Sequence, residues 1–179
     1  MSRCPSPLQR YLASHRRGMA LILLFLTVWW IWDWYQRPDL VTRVLFCETA
    51  NCTPQERLLV AGVIRNRVGR PAFGTPASLR EVVEQSGAFS CIDDDDNYNW
   101  AKTRHPASLT ATEQAIWREC LALAQGHIQS VYGPSGRPLI YYHDRSITKP
   151  RSWDNQTWHA VLERTTIHFA FYSIVPVKN

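Results

Sequence analysis

Apolar residues change their spacing from segment to segment along the chain, and each spacing predicts an element. Gly18 to Trp32 (GMALILLFLTVWWIW) is apolar without a charge, the pattern of a membrane segment. At ~1.5 Å per residue it is short for a ~30 Å hydrocarbon core unless Trp34, Tyr35 and snorkelling neighbours extend it. After a break at Pro38, with Asp39 as the expected N-cap, Leu40, Val44, Cys47 and Glu48 recur at helical spacing and share one face. Thr53-Pro54-Gln55-Glu56 is a capping box with Pro at the first helical position. It opens a largely buried helix through Leu58, Leu59, Ala61, Gly62, Val63, Ile64 and Val68, ending near Gly69. Ser78-Leu79-Arg80-Glu81 starts a short helix to Gln85. Thr110-Ala111-Thr112-Glu113 starts another, with Ala115, Ile116, Cys120, Leu121 and Ala124 as its apolar face up to Gly126.

The remaining pieces read as extended or irregular. Gly87 to Ile92 is a turn and an extended piece, Pro138 to Asp144 an extended segment entering a loop, and Thr165 to Tyr172 a strand. Asp93 to Ser108 is polar and aromatic and reads as a solvated loop, and Ser146 to Trp158 is irregular. There are no internal repeats. The sum is a mostly α domain of α+β class, with one lobe on each side of a cleft.

The net charge of +5 is uneven. Arg3, Arg10, Arg16 and Arg17 against Asp33 give +3 in the first 35 residues and leave +2 to the rest. That balance, without a basic stripe interleaved with aromatics, gives no argument for nucleic acid. A mildly basic surface suits a polyanionic polymer such as a bacterial cell wall. Arginines before the apolar run and an aromatic belt after it place the N-terminus in the cytoplasm and the domain outside. A cleaved signal peptide needs a small-residue site, and Trp30 to Tyr35 is bulky throughout. The expectation is a basic cytoplasmic tail at residues 1–17, an uncleaved transmembrane signal anchor at 18–35, and a periplasmic domain at 36–179. The protein would then cross the cytoplasmic membrane once.

Cys4 falls in the tail. Cys47, Cys52, Cys91 and Cys120 fall in the domain, an even number that an oxidising compartment would pair in one of three connectivities. Buried free thiols are the alternative. A zinc site fits poorly, because there is no C-x-x-C pair and Cys47-x4-Cys52 with scattered histidines is a weak zinc spacing. Asp93 to Asp96 fails as an EF-hand, since Tyr98 and Arg104 occupy the sixth and twelfth positions. There is no H-E-x-x-H metallopeptidase motif. No metal and no cofactor are expected.

Glu48 is the candidate for chemistry. It lies on the apolar side of its helix, near the C-terminal end. Burial desolvates a carboxylate, and the negative end of the helix dipole repels it. A carboxyl group kept protonated near neutral pH is what a general acid needs. A solvated glutamate at a frayed helix end fits the same position.

Several motifs follow one another: Arg43-Val44-Leu45-Phe46-Cys47-Glu48-Thr49-Ala50, Val60-Ala61-Gly62-Val63-Ile64-Arg65-Asn66-Arg67-Val68 and Gly87-Ala88-Phe89-Ser90-Cys91. Ile140-Tyr141-Tyr142-His143 and Ile167-His168-Phe169-Ala170-Phe171-Tyr172 complete the series. In this order and spacing, from about Leu40 to Tyr172, the chain resembles the SleB-type cell-wall hydrolases, the family of spore-cortex lytic enzymes. The resemblance implies a lysozyme-like fold that cuts the glycan strands of peptidoglycan, generally as a lytic transglycosylase, with Glu48 at the position of the family's catalytic acid. The chain departs from the family where Asn51-Cys52 replaces a Gly-Glu pair and Ala88 replaces a polar residue. The Asp93–Ser108 loop is outside the common pattern.

Most glycosidases need two carboxylates. A lytic transglycosylase needs one, which protonates the glycosidic oxygen and then deprotonates the sugar's own 6-hydroxyl. With Asp93 to Asp96 and Asp144 as the other candidates for a second acid, the single supported carboxylate favours transglycosylation. Phe89, Ser90, Tyr142, His143, His168 and Tyr172 are the candidate substrate-binding residues. Phe89-Ser90 fits equally a turn with a core Phe, and His168 fits equally a hydrogen-bonded structural histidine. Asn66 reads as structural, and Trp100, Trp153 and Trp158 as sugar platforms or plain core. The expected role is cell-wall remodelling or phage-type lysis as an endolysin. The alternatives are a water-using muramidase or glucosaminidase, or an inactive peptidoglycan-binding envelope protein.

Overall fold

The structure, a computed structural model, describes residues 19, 25–27, 40–93, 97–126, 128–154 and 157–177. The chain divides into two units, Met1–Arg37 and Pro38–Asn179, and every element below belongs to the second. The anchor expected at 18–35 lies almost wholly outside the described residues, as do Cys4, the Asp39 cap and Asp94 to Asp96. Among the described residues no helix is long and apolar enough to cross a membrane.

Helix α1 (Leu40–Thr49) is the hub. Val44, Leu45 and Phe46 are fully buried, and Val41, Thr42 and Thr49 are buried on its other sides. A helix buried all round must be surrounded, and the remaining helices do this. They are α2 (Pro54–Arg67), α3 (Leu79–Val83), α4 (Ser90–Asp93), α5 (Tyr98–Lys102) and α6 (Ala111–Gln125), all packed on α1. Two of the expected capping boxes are complete, at Thr53/Glu56 and Thr110/Glu113. The third is half-made. Ser78 accepts from the Glu81 amide, while the Glu81 carboxylate takes the Ala77 amide. Helix α6 turns Trp117 and Cys120 inward, with Trp117 edge-on to Phe46 at 5.7 Å, and leaves Ala115 exposed. The bulkiest apolar side chain thus sets the face that is buried.

Three expectations give way. Ser90–Asp93 is a helical turn, where an extended piece was expected. Within the expected solvated loop, Asn97 caps a short helix by accepting from the Trp100 amide at 3.0 Å. Trp100 is buried there beneath the Arg43 guanidinium, 3.8 Å from the ring centre. A local cap and one buried indole outweigh the polarity of that window. The four described cysteines, Cys47, Cys52, Cys91 and Cys120, are free thiols, in place of the two disulfides expected as one option.

The sheet holds β1 (Tyr141–Asp144), β2 (Trp158–Thr165) and β3 (Phe169–Pro176) in the order β1-β3-β2, antiparallel throughout. The expected single strand Thr165–Tyr172 is therefore the end of β2, a turn and the start of β3, closed by the Thr166 amide on the Phe169 carbonyl at 2.8 Å. Strand β2 (WHAVLERT) has one face exposed and carries charges, which hid it. Phe169 and Phe171 face the helical core, and Ala160, Ala170 and Tyr172 cluster on the opposite face. Asn66 binds the segment leading into β1. Its Nδ2 donates to the Val131 carbonyl at 2.6 Å and the Leu139 carbonyl at 2.9 Å.

That anchorage makes Gly62 indispensable. A Cβ at Gly62 would lie 2.4 Å from Val131 Cγ1 and 2.9 Å from its Cβ. Val131 is stiff at χ1, and Asn66 together with the Leu139 amide holds its carbonyl. In an open helix Gly→Ala gains about 1 kcal/mol. Here the overpacking cost of about 1–3 kcal/mol outweighs it. Gly62→Ala is expected to lower the urea midpoint at unchanged m-value; a higher midpoint would show that the Val131 segment moves freely.

Candidate active site

Glu48 stands one residue from the end of α1, where the buried helix meets a cleft of about 570 Å³. A second buried side chain fixes that helix end. Arg57, 4% exposed on α2, donates through Nη1 to the Thr49 carbonyl at 3.2 Å and the Cys52 carbonyl at 2.5 Å. Its Nε reaches Glu119 Oε2 on α6 at 2.9 Å. A cation at the last carbonyl of the helix complements its dipole, and the Cys52 carbonyl ties the same cation to the following connection. Glu48 is thereby held, and not frayed.

The Glu48 carboxyl is held above the ordinary carboxylate range. Burial is the largest cause. Hydrogen bonds from the Cys91 thiol, the Tyr142 hydroxyl and the Cys91 amide oppose it, as does the charge of Arg67. Tyr142 Oη donates to Glu48 Oε2 at 3.0 Å. Desolvation wins, so the acid form is favoured relative to an ordinary glutamate.

Of the candidates from sequence, Glu48, Phe89, Ser90, Tyr142 and His143 line this one cleft. Phe89 is a buried wall, and Ser90 is exposed at the start of α4. His143 is buried. Its Nδ1 lies 2.6 Å from the Asp144 carbonyl, which can only accept, so Nδ1 carries the proton. Its Nε2 then accepts from Tyr172 Oη at 2.9 Å. Tyr172 is thus behind the cleft wall and not in it, stacked on His143 at 5.3 Å. His168 is also outside the lining residues. It sits in the β2–β3 turn, with Nδ1 3.0 Å from Glu56 Oε2 and its amide on Glu56 Oε1 at 2.9 Å. The strand expected around His168 is that turn. Trp153 lines the cleft and stacks on Tyr141 at 4.5 Å and 13°. Trp100 is core, and Trp158 begins β2.

Sequence reasoning missed Arg67. Its guanidinium is buried against the cleft, with Nε donating to the Ile140 carbonyl at 2.9 Å and the rings of Phe73, Phe89 and Tyr141 5.1–5.7 Å away. The signal was present: Val60, Val63, Ile64 and Arg67 share the buried stripe of α2. A charge on that stripe must be paired or aimed at a site. Asp144 also lines the cleft, and hydrogen bonds from Ser146 hold it below the ordinary carboxylate value. One cleft thus holds a carboxyl biased to the acid form, an ionised carboxylate, a buried cation and stacked aromatics.

The direction of the Glu48 shift fixes a stability test. The folded value lies above the unfolded one, so its contribution is present in full below the unfolded value and is lost as pH rises through the folded value. Glu48→Gln removes that loss. It is expected to raise the melting temperature at neutral pH, by an increment that vanishes below about pH 4. An increment independent of pH would contradict the shift.

No curated protein and no solved structure matches the chain. Residues 53–172, about two thirds of the sequence, match the family described as Cell Wall Hydrolase. The match covers Arg67, Phe89, Ser90, Tyr142, His143, Asp144, His168 and Tyr172, and begins five residues after Glu48. Membership in this family implies peptidoglycan as the substrate. The resemblance seen in the motifs is borne out, and the chain belongs to the cell wall hydrolase family.

Proposed function

We propose that this cell wall hydrolase cuts the MurNAc–GlcNAc backbone of peptidoglycan as a lytic transglycosylase, with Glu48 as its single acid and base. The observation that carries this reading is the position of the Glu48 carboxyl, at the end of a fixed helix, shifted by burial toward its acid form and open to an aromatic-walled cleft. Glu48 gives its proton to the glycosidic oxygen as the C1–O bond breaks, and oxocarbenium character develops at C1. The resulting carboxylate takes the proton of the 6-hydroxyl, whose oxygen closes on C1. The product is a 1,6-anhydro sugar, no water is consumed, and Glu48 ends protonated. The Tyr142 hydrogen bond steadies the anion between the two steps. Arg67 adds a positive field that fixed dipoles alone lack. The Tyr141–Trp153 stack supplies a face for a sugar ring. A cleft lined by helices and by the sheet, with the acid at a helix end, accords with a lysozyme-like arrangement.

A water-using muramidase or glucosaminidase is the second reading, favoured by one observation: the ionised Asp144 lines the same cleft. Mass spectrometry of sugars released from purified peptidoglycan separates the two. Transglycosylation predicts anhydromuramyl ends, a loss of about 100-fold or more in Glu48→Gln and near-normal turnover in Asp144→Asn. Reducing ends, lost in both variants, would establish the hydrolase. Folded protein that binds peptidoglycan and releases nothing would leave only the wall-binding reading. The pattern of residues 1–35 supports display of the domain on the periplasmic side by the signal anchor, in wall remodelling or phage-type lysis.

Tyr142→Phe has a signed consequence. The lost hydrogen bond favoured the charged form, so Glu48 stays protonated to higher pH. The alkaline limb of the pH–rate profile is expected to move upward as turnover falls. A limb that stays in place would remove Tyr142 from the acid's environment.

A further inference from the structure

Away from the cleft lining, the fold gathers Cys52, Glu56 and His168, with one donor atom of each within 4.8 Å of the others. Cys52, in the α1–α2 connection, and Glu56, in the first turn of α2, are near neighbours in the chain, and the β2–β3 turn brings His168 to them from 112 residues away. His168 Nδ1 lies 3.0 Å from Glu56 Oε2. That is close to the ~3.3 Å edge of a tetrahedron with zinc–nitrogen and zinc–oxygen bonds of about 2.0–2.1 Å. The remaining bonds to Glu56, from the Thr53 amide at 2.9 Å, the Thr53 hydroxyl at 3.0 Å and the His168 amide at 2.9 Å, hold the carboxylate in place as outer support does around a metal. Cys52 is half-buried and completes a sulfur, nitrogen and oxygen donor set, the kind that borderline dications take.

We propose that Cys52, Glu56 and His168 bind a zinc-class divalent cation that ties the α1–α2 connection to the β2–β3 turn. The ion takes the place of the proton between Glu56 and His168, and the His168 ring proton moves to Nε2. The Cys52 thiol proton leaves to solvent, so one thiolate and one carboxylate neutralise the dication. The same residue types also make a thiol nucleophile with a His–Glu pair. A nucleophile must meet substrate, and Cys52 is not among the residues that line the cleft; a structural cation needs no such access. The linear spacing concealed the site, because His168 lies 112 residues from Glu56.

The full chain, stripped with chelator and dialysed, is titrated with zinc chloride and, separately, cobalt chloride. One cation per chain is expected, with a thiolate-to-cobalt charge-transfer band and a rise in melting temperature. Loss of an outer-shell partner alone costs about 10–100-fold in metal affinity. Cys52→Ser and His168→Gln, each folded by circular dichroism, are expected to lose at least that much, and Cys52→Ser loses the band. Cys120→Ala, a thiol outside the cluster, keeps both. Absence of the band in the wild-type protein, or binding indifferent to Cys52→Ser and His168→Gln, overturns the site without touching the Glu48 reading.

Discussion

The burial of α1 on nearly every side is the constraint on which the rest depends. Seven of its ten residues are buried, so the remaining helices must close around it, and Glu48 in its last turn is left to meet the cleft. Glu48 occupies that turn. A carboxylate there loses water and faces the negative end of its own helix. Arg57 ties that end to the α1–α2 connection by donating to the Thr49 and Cys52 carbonyls.

The sheet supplies the opposite wall. Antiparallel register sets Tyr142 beside Phe171 and Asp144 beside Phe169. Alternation then sends Tyr142 toward the helical core, where it packs edge-on to Phe169 at 5.2 Å and reaches Glu48. His143, one residue on, turns to Tyr172 on the other face. The sheet therefore divides its polar residues between an acid that must be tuned and a wall that must be held. Asn66 and Arg67 join this wall to α2 through the carbonyls of Val131, Leu139 and Ile140. Consecutive residues at the end of one helix thus set the width of the cleft.

Much of this was legible in the chain. Apolar spacing and two complete capping boxes located α1, α2 and α6, because those signals are local. The placement of Glu48 on the apolar side of α1 followed from the same periodicity. Strand β2 was not legible, since it carries charges, with Arg164 exposed and Glu163 tied to Ser135 and Ser173, and its pairing partner is set by a turn at Thr166–His168 that reads as strand. The helix at Tyr98–Lys102 hid in a polar window because one Asn cap and one buried Trp suffice for it. His168 was assigned to the cleft by its motif, while a buried glutamate 112 residues away claims it. The cluster with Cys52 was invisible for the same reason, as its donors meet only after the sheet docks on the helices. Fold class and the acid were thus local in origin, and the walls and clamps were tertiary.

The central claim is that burial holds the Glu48 carboxyl protonated above the ordinary range. Carbon-13 NMR of the side-chain carboxyl, titrated in the folded protein and assigned by its absence in Glu48→Gln, measures this directly. A midpoint above the ordinary glutamate value of about 4.3 is expected, rising again in Tyr142→Phe. A midpoint at or below the ordinary value would contradict it.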